Sequence, residues 1–230
     1  MVPGDVLADS DSMRPGDNTY VLNGKIRSNM MGVKTLRNDF VGVIPMNECY
    51  MPRTGDMVIG TIIDIGPSNW LMDINAPYPA PLRVNEVPWK VEFGDTSKFL
   101  KIGDTVLLKI LMVDESKKIQ VTMRDSGLRK IEGGLLVEIT HSKVSRVIGK
   151  SGSMIQMLKD KTDCRIFVGQ NGRIWIDGDE ENADVAAEAI RYIENHTRSG
   201  NLMEKVESLI EAKLPENGDD KEESYEEEDE

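Results

Sequence analysis

Alternating apolar and polar positions dominate the middle of the chain, residues 54–125. The alternation falls into five short runs, separated by turn sequences such as GPSN and ESK, and no long helical pattern interrupts them. The runs are GDMVIGTIIDIG, WLMDINA, APLRV, KIGDTVLLKILMVD and KKIQVTMRD. Period-two alternation is typical of half-buried strands. Five such strands predict a small closed β-barrel of the OB type over 54–126.

Helical spacing of apolar residues begins only after residue 130. Over 130–198 the pattern predicts the order strand, helix, helix, strand, strand, helix, and ENADVAAEAIRYIENHT is the strongest helix. A further amphipathic helix, NLMEKVESLIEAKL, ends before Pro215. We therefore predict an α+β domain with a C-terminal helix over 127–213.

The first 53 residues show no helical period. Turn sequences VPGD, RPGD and LNGK alternate there with strand-like pieces such as TYVL and FVGVIP. Turns rich in Gly, Pro, Asn and Asp favour hairpins. The chain is thus predicted to be multidomain, with a small β-rich N-terminal region at 1–53 ahead of the barrel.

The acidity of the chain is concentrated at its C-terminus. The formal net charge is −12, but the stretch from Glu216 to Glu230 alone holds ten acids and one lysine. The rest of the chain is close to neutral. This composition predicts a disordered acidic tail over 214–230. Such a tail either keeps the protein in solution, or docks a partner, or masks a site of the same chain.

The sequence offers no sign of a membrane segment, a secretory signal or a metal site. No apolar run approaches the length of about 18 residues that a membrane helix needs, and the N-terminus has no basic region followed by an apolar core. Cys49 and Cys164 are isolated, which favours free thiols in a reducing cytoplasm. His141 and His196 lack a cysteine at zinc-ligand spacing. We expect a cytoplasmic protein without metal or cofactor.

The sequence also shows no recognisable set of catalytic residues. The sequence contains no plausible Ser-His-Asp or Cys-His pair and no paired carboxylates on a recognisable scaffold. Asp64 and Asp73 lie in predicted strands, where we expect structural roles. The prediction is therefore a binding protein and not an enzyme.

Two Gly-x-x-Gly sequences, GKSG at 149–152 and GQNG at 169–172, differ in their surroundings. GKSG lies between two predicted helices, so the second helix would direct its free N–H groups and its positive dipole end toward a phosphate. Glycine allows a ligand to approach the backbone closely, and Lys150 adds a positive charge. GQNG lies between two strands, and its Asn-Gly pair predicts a tight turn and not a phosphate loop.

Charge is distributed unevenly around the GKSG loop. From His141 to Arg173 the chain holds seven basic residues against two acids, whereas Asp177 to Glu188 holds six acids and no base. The seven are Lys143, Arg146, Lys150, Lys159, Lys161, Arg165 and Arg173. We predict a basic side of the α+β domain that contains the loop.

The segment VIGKSGSMIQMLKDKTDCRIFV resembles the core of a type I KH domain. The family pattern Ile-Gly-x-x-Gly-x-x-Ile, with a Leu three residues further on, is met at Ile148, Gly149, Gly152, Ile155 and Leu158. KH loops clamp the backbone of about four single-stranded nucleotides. The resemblance implies contacts to RNA from Arg146, Val147, Gly149, Lys150, Ser151 and Gly152. We expect the two isoleucines to belong to the core.

The barrel has its own candidate contacts. OB-type barrels bind nucleic acid across strands 2 and 3 and the loops beside them. The residues at these places are Trp70, Tyr78, Arg83, Lys117 and Lys118. Trp70 shares a strand face with Met72 and Ile74, so burial of its side chain is the alternative. Aromatic residues are only 5% of the chain, which favours phosphate contacts over a stacking groove.

The barrel segment resembles an S1 domain, and the full order resembles the S1–KH RNA-binding cap subunit of the archaeal exosome, of the ribosomal-RNA-processing type. The closest pieces are VPGDVLA, WLMDINAPY, RVIGKSGSM and VGQNGRIWI. The resemblance implies three copies of the chain on a hexameric ring of RNase PH-like subunits. The cap would capture single-stranded RNA and guide its 3′ end to phosphorolytic sites in the ring, for RNA degradation and processing. In that family the N-terminal region contacts the ring.

A stand-alone S1/KH RNA-binding regulator of transcription or translation is the alternative. Termination and antitermination factors also combine S1 with KH domains. They usually carry two KH modules of the other topology, whereas this sequence predicts one module of type I order.

Overall fold

A computed structural model describes residues 1–45, 49–115, 117–196 and 201–214. The chain divides into two compact units, Met1–Tyr50 and Met51–Glu230. The predicted barrel and the predicted KH domain both lie in the second unit. The predicted disordered tail falls outside the described residues from residue 215 onward, and the domain limits drawn from the sequence stay predictions.

The N-terminal unit consists of six short strands in two three-stranded sheets. They are β1 (Val6–Asp9), β2 (Arg14–Pro15), β3 (Thr19–Leu22), β4 (Lys25–Ser28), β5 (Gly32–Arg37) and β6 (Phe40–Pro45). One sheet has the order β1-β4-β3 and the other β2-β6-β5. Asn23 and Gly24 join β3 to β4 with φ of 52° and 70°, as a type I′ hairpin turn requires. The predicted β-rich hairpin region is confirmed.

The second unit begins with a closed five-stranded barrel. Its strands are β7 (Met57–Ile65), β8 (Asn69–Asp73), β9 (Ala80–Arg83), β10 (Thr105–Val113) and β11 (Ile119–Thr122), with the short helix α1 (Thr96–Phe99) between β9 and β10. The order is β11-β9-β8-β7-β10, and β11 also pairs with β10, so the sheet closes on itself. Trp70 and Met72 point inward and are fully buried, while Asn69, Leu71 and Asp73 alternate with them. The predicted OB-type barrel is confirmed.

The rest of the second unit has the predicted KH order. Its elements are β12 (Lys130–Ile131), β13 (Leu135–Glu138), α2 (Val144–Ile148), α3 (Ser153–Thr162), β14 (Arg165–Val168), β15 (Arg173–Asp177), α4 (Glu180–Asn195) and α5 (Leu202–Lys213). β12 pairs with barrel strand β10, and the KH sheet is antiparallel in the order β13-β15-β14. The helices pack through one core that includes Val147, Leu158, Ile190 and Ile210. The type I KH prediction is confirmed.

The helices of the described residues are all too short or too polar to cross a lipid bilayer.

The KH domain contacts the barrel where one edge of β7 lacks a neighbouring strand. β7 is nine residues long, but β8 pairs with it only from Thr61 to Ile65. Met57 and Ile59 therefore have no β8 partner along that edge. A buried backbone group without a partner costs about 1–3 kcal/mol, so this edge needs hydrogen bonds from elsewhere.

The GQNG turn between β14 and β15 supplies those hydrogen bonds. The amide Nδ2 of Asn171 donates to the carbonyl oxygens of Ile59 at 2.8 Å and Ile74 at 2.9 Å. Its Oδ1 accepts from the backbone N–H of Ile59 at 3.4 Å, and the N–H of Gln170 donates to the carbonyl of Met57 at 2.8 Å. Asn171 is fully buried. One side-chain amide thus takes the place of a neighbouring strand's peptide group.

Arg173, at the start of β15, makes a second set of hydrogen bonds at this contact between the KH domain and the barrel, which we call the joint. Its guanidinium donates to the backbone oxygen of Asp73 at 2.8 Å and to the carboxylates of Asp73 at 2.5 Å and Glu138 at 2.7 Å. Burial of the guanidinium lowers its pKa, but the hydrogen bonds to Asp73 and Glu138 outweigh burial, so the pKa of Arg173 is raised. The buried charge is therefore permanently ionised and paired. Removal of a single partner from such a pair is costly.

Replacement of Asn171 by alanine should destabilise the second unit. Asn171→Ala removes a hydrogen bond from the N–H of Ile59 and from the carbonyls of Ile59 and Ile74, and leaves the Ile59 carbonyl with only the 3.5 Å bond from Arg173. We expect a loss of about 2–4 kcal/mol in the free energy of unfolding. Urea denaturation followed by tryptophan fluorescence measures it. The control is Gln170→Ala, because the exposed Gln170 bonds through its backbone. Equal stability of the two variants would contradict the role given to Asn171.

Candidate nucleic-acid interface

Three residues with positive φ shape the GKSG loop. Gly149, Ser151 and Gly152 have φ of 76°, 54° and 82°, so the chain turns sharply between α2 and α3. A Cβ at Gly149 would lie 2.7 Å from the backbone N of Met154, whereas a Cβ at Gly152 would meet only Ile155, at 4.0 Å. Gly149 is therefore required by packing within the domain. Gly152 leaves the outer side of the turn open to a ligand.

The start of α3 gives this loop a preference for anions. α3 is ten residues long, and within the described chain no side chain caps its first N–H groups. Those groups and the positive end of the helix dipole face the loop, an arrangement that suits a phosphate. Lys150 and Ser151 are exposed beside it.

Two positive charges at the loop are unpaired. Arg146 and Lys150 are exposed and have no ion-pair partner among the residues that the structure describes. Lys161, at the far end of α3, is bound by Glu207 and Glu211 of α5 at 3.1 and 2.6 Å. The other paired cations of this part of the chain are Lys130, Arg165, Arg173 and Lys213. Of the seven basic residues between His141 and Arg173, Arg146 and Lys150 are therefore the exposed ones without an ion-pair partner in the described chain.

The prediction that Val147 contacts RNA is wrong. It is 0% exposed, because this side of α2 packs into the core of the domain. Arg173 was expected on the basic side and instead is buried in the joint with the barrel. Ile148 and Ile155, expected in the core, are only partly buried and lie at its edge. The remaining predicted residues, Arg146, Gly149, Lys150, Ser151 and Gly152, do come together at the loop.

The prediction that Trp70 contacts RNA is also wrong. Its ring is fully buried inside the barrel, and Nε1 donates to the carbonyl oxygen of Thr96 at 3.2 Å. The alternation of β8 turns it inward, so it cannot stack on a base outside the barrel. The other predicted residues of the barrel, Tyr78, Arg83, Lys117 and Lys118, are exposed. Their contacts to RNA stay a prediction.

The barrel face that OB domains use is closed at one end. The face is formed by β8 and β9, and its Asp73 end is bound by Arg173 of the KH domain. The Asn69 and Arg83 end, next to the loop 66–68, has no such cover from the described KH residues. The open part of the face is thus shifted toward the loop between β7 and β8. The sequence carries no signal for this shift, because the Asn-Gly pair of GQNG is equally typical of an ordinary tight turn.

The cysteines and acids do not form a metal site in the described part of the chain. No group of three or more His, Cys, Asp or Glu side chains there could hold a metal ion. Burial raises the pKa of the Cys164 thiol, whose Sγ donates to the carbonyl oxygen of Thr162 at 3.3 Å. Cys164 is therefore an unreactive packing residue.

Three family models match successive parts of the chain. Residues 1–37 match the N-terminal region of exosome complex exonuclease RRP4, residues 49–95 match the S1 domain of RRP4, and residues 134–182 match a KH domain. The matches follow the order of the β-rich unit, the barrel and the α+β domain.

Curated relatives extend the likeness over most of the chain. The exosome complex component Rrp4 of Methanosarcina mazei is 45% identical over 210 residues, covering 91% of this chain and 80% of that protein. Rrp4 of Thermoplasma acidophilum is 42% identical, covering 91% and 89%. A solved structure assigned as an exosome complex RNA-binding protein has a TM-score of 0.69 and 36% identity, covering 72% of this chain and 97% of its own.

Alanine should lower the stability of the protein more at Gly149 than at Gly152. Gly149→Ala adds a clash with Met154 to the strain of a positive φ, so we expect it to lower stability by about 2–4 kcal/mol. Gly152→Ala adds only the strain, about 1 kcal/mol. Thermal unfolding of both variants measures the difference. Equal loss in both would contradict the packing role of Gly149.

Proposed function

The chain belongs to the Rrp4 family of exosome complex components, and on that premise we propose that it is the RNA-capturing subunit of an exosome cap. It holds single-stranded RNA and guides the 3′ end toward a ring of RNase PH-like subunits, where phosphorolysis takes place. Three copies would sit on one ring. The proposal assigns the cutting to the ring and a purely binding role to this chain, which acts in the cytoplasm.

The GKSG loop is the observation that carries the RNA-binding part. Its backbone is open to a ligand at Gly152, and no side chain of the described residues caps the start of α3. Arg146 and Lys150 supply two unpaired positive charges on the same side. Phosphates of a single strand fit this combination, because N–H groups donate to phosphate oxygens whatever the base and the cations are exposed. The partly buried Ile148 and Ile155 add an apolar floor on which a base can rest.

An apolar sheet face of the N-terminal unit supports docking to the ring. Val33 of β5 and Ile44 of β6 lie opposite each other and are 56% and 54% exposed. Phe40, four residues before Ile44 on the same face of β6, is 46% exposed. A cross-strand row of large apolar side chains in contact with water is typical of a protein-binding surface. The alternative, a stand-alone regulator of transcription or translation, gives this face no partner.

Removal of the loop cations should flatten the salt dependence of RNA binding. Each phosphate contact to a single strand contributes about −0.7 to the slope of log K against log salt. The double variant Arg146→Ala, Lys150→Ala should therefore lose about 1.4 from the magnitude of that slope and bind more weakly at low salt. Fluorescence anisotropy with a labelled single-stranded RNA over a salt series measures it.

Arg165→Ala is the matched control for this experiment. Arg165 is a cation of the same domain with a side chain 80% exposed, but it lies on β14 and is 4.0 Å from Asp177. We expect its slope to equal that of the unchanged protein. A slope that the double variant does not alter would refute the loop as the phosphate site.

A charge on the apolar face of β5 and β6 should release the chain from the ring. Ile44→Asp places a carboxylate in the proposed contact, so native purification should recover the variant without ring subunits while its RNA affinity is kept. Ile102→Asp is the control, since Ile102 is 64% exposed in the other unit. Recovery of the unchanged protein alone, without ring subunits, would favour the stand-alone regulator.

A further inference from the structure

The open end of the barrel face carries an aromatic residue that neither family resemblance nor strand pattern singles out. Phe93 lies in the long connection between β9 and β10 and is 83% exposed. Single exposed apolar residues are common on protein surfaces, so exposure alone assigns nothing to it. The inference rests on the turn that holds Phe93 and on the residues beside that turn.

Phe93 is mounted on a rigid turn. The N–H of Asp95 donates to the carbonyl of Glu92 at 3.1 Å, and Gly94 has φ of 89°, the geometry of a type II turn with Phe93 at its tip. The N–H of Gly94 also donates to the carbonyl of Pro67 at 2.9 Å. The turn is therefore tied to the loop between β7 and β8, at the open end of the OB face.

Thr96 anchors the same turn from the other side. Its hydroxyl donates to the carbonyl of Gly66 at 2.7 Å, and its own carbonyl accepts from the buried indole of Trp70 at 3.2 Å. Thr96 is itself 2% exposed. An aromatic ring at the tip of such a turn is presented to solvent at little further cost in conformational entropy, as a stacking platform requires.

A free cation borders the same loop. Arg83 is opposite Asn69 in the β8–β9 register, and the next N–H, that of Val84, donates to the carbonyl of Ser68 at 3.1 Å. Arg83 is exposed and has no ion-pair partner among the described residues. Phe93 and Arg83 thus flank the loop 66–68 from its two sides. A planar ring and a guanidinium beside one loop form the combination that binds a base and its phosphate in single-stranded nucleic acid.

We propose that Phe93 is a base-stacking site for single-stranded RNA on the barrel, with Arg83 binding the adjacent phosphate. The proposal rests on the proposed function and adds to it a second contact, apart from the GKSG loop, that recognises the base and not only the backbone. Because every base has a π-face, the contact is tolerant of sequence. It suits a subunit that has to hold many different strands.

The test compares variants of the full chain on oligoadenylate and on a strand of the same length that lacks bases at successive positions. Phe93→Ala should weaken oligoadenylate binding by ~5- to ~100-fold, the range that loss of one stacked base gives. Phe93→Trp should keep the affinity, because an indole also stacks. On the strand without bases, the unchanged protein and Phe93→Ala should bind equally. Fluorescence anisotropy measures all of these.

Ile102→Ala is the matched control. Ile102 belongs to the same connection and is 64% exposed but is not aromatic, so its loss should leave binding unchanged. Equal affinity of Phe93→Ala and the unchanged protein for oligoadenylate would overturn the proposal, and so would an equal loss on the strand without bases. Intact RNA binding together with loss of ring subunits would assign Phe93 to protein docking instead. Failure of the unchanged protein to bind oligoadenylate would refute the proposed function itself.

Discussion

The second unit depends on one unpaired strand edge and on the asparagine that completes it. β7 runs past the end of β8, and the peptide groups of Ile59 would face the KH domain without partners. The side-chain amide of Asn171 bonds to both the N–H and the C=O of Ile59, so the hydrogen bonding of the barrel edge continues into the KH domain. Arg173 and Asp73 strengthen the same joint with an ion pair in which the guanidinium is buried and the carboxylate is partly exposed.

The joint also decides which surfaces remain available to a ligand. It covers the Asp73 end of the barrel face. It also pairs Arg173 with Asp73, although the local sequence predicts that this cation lies beside the GKSG loop. α5 neutralises Lys161 in a similar way. Arg146 and Lys150 at the GKSG loop and Arg83 on the barrel are exposed and have no ion-pair partner among the described residues. Structural ion pairs thus remove Arg173 and Lys161 from the cations that can bind a phosphate.

Periodicity made the element order of both domains predictable, because strand alternation and helical spacing are repeated over many residues and single exceptions average out. The roles of individual polar and aromatic residues were less predictable. Asn171 looks like an ordinary turn residue, since Asn-Gly satisfies a tight turn whether or not its side chain reaches another domain. Val147 and Trp70 sit beside motif positions, but the helix face and the strand alternation turn them into the core.

The rigidity of the joint has a consequence for strand length. With no flexible linker between barrel and KH domain, the distance between their two contacts is fixed, and the second contact forms within the complex at a high effective concentration. A strand long enough to span both places gains this avidity, whereas a strand shorter than the span is held by one place alone. If RNA binds at both proposed contacts, the asparagine that closes a strand edge also sets the strand length above which RNA engages both.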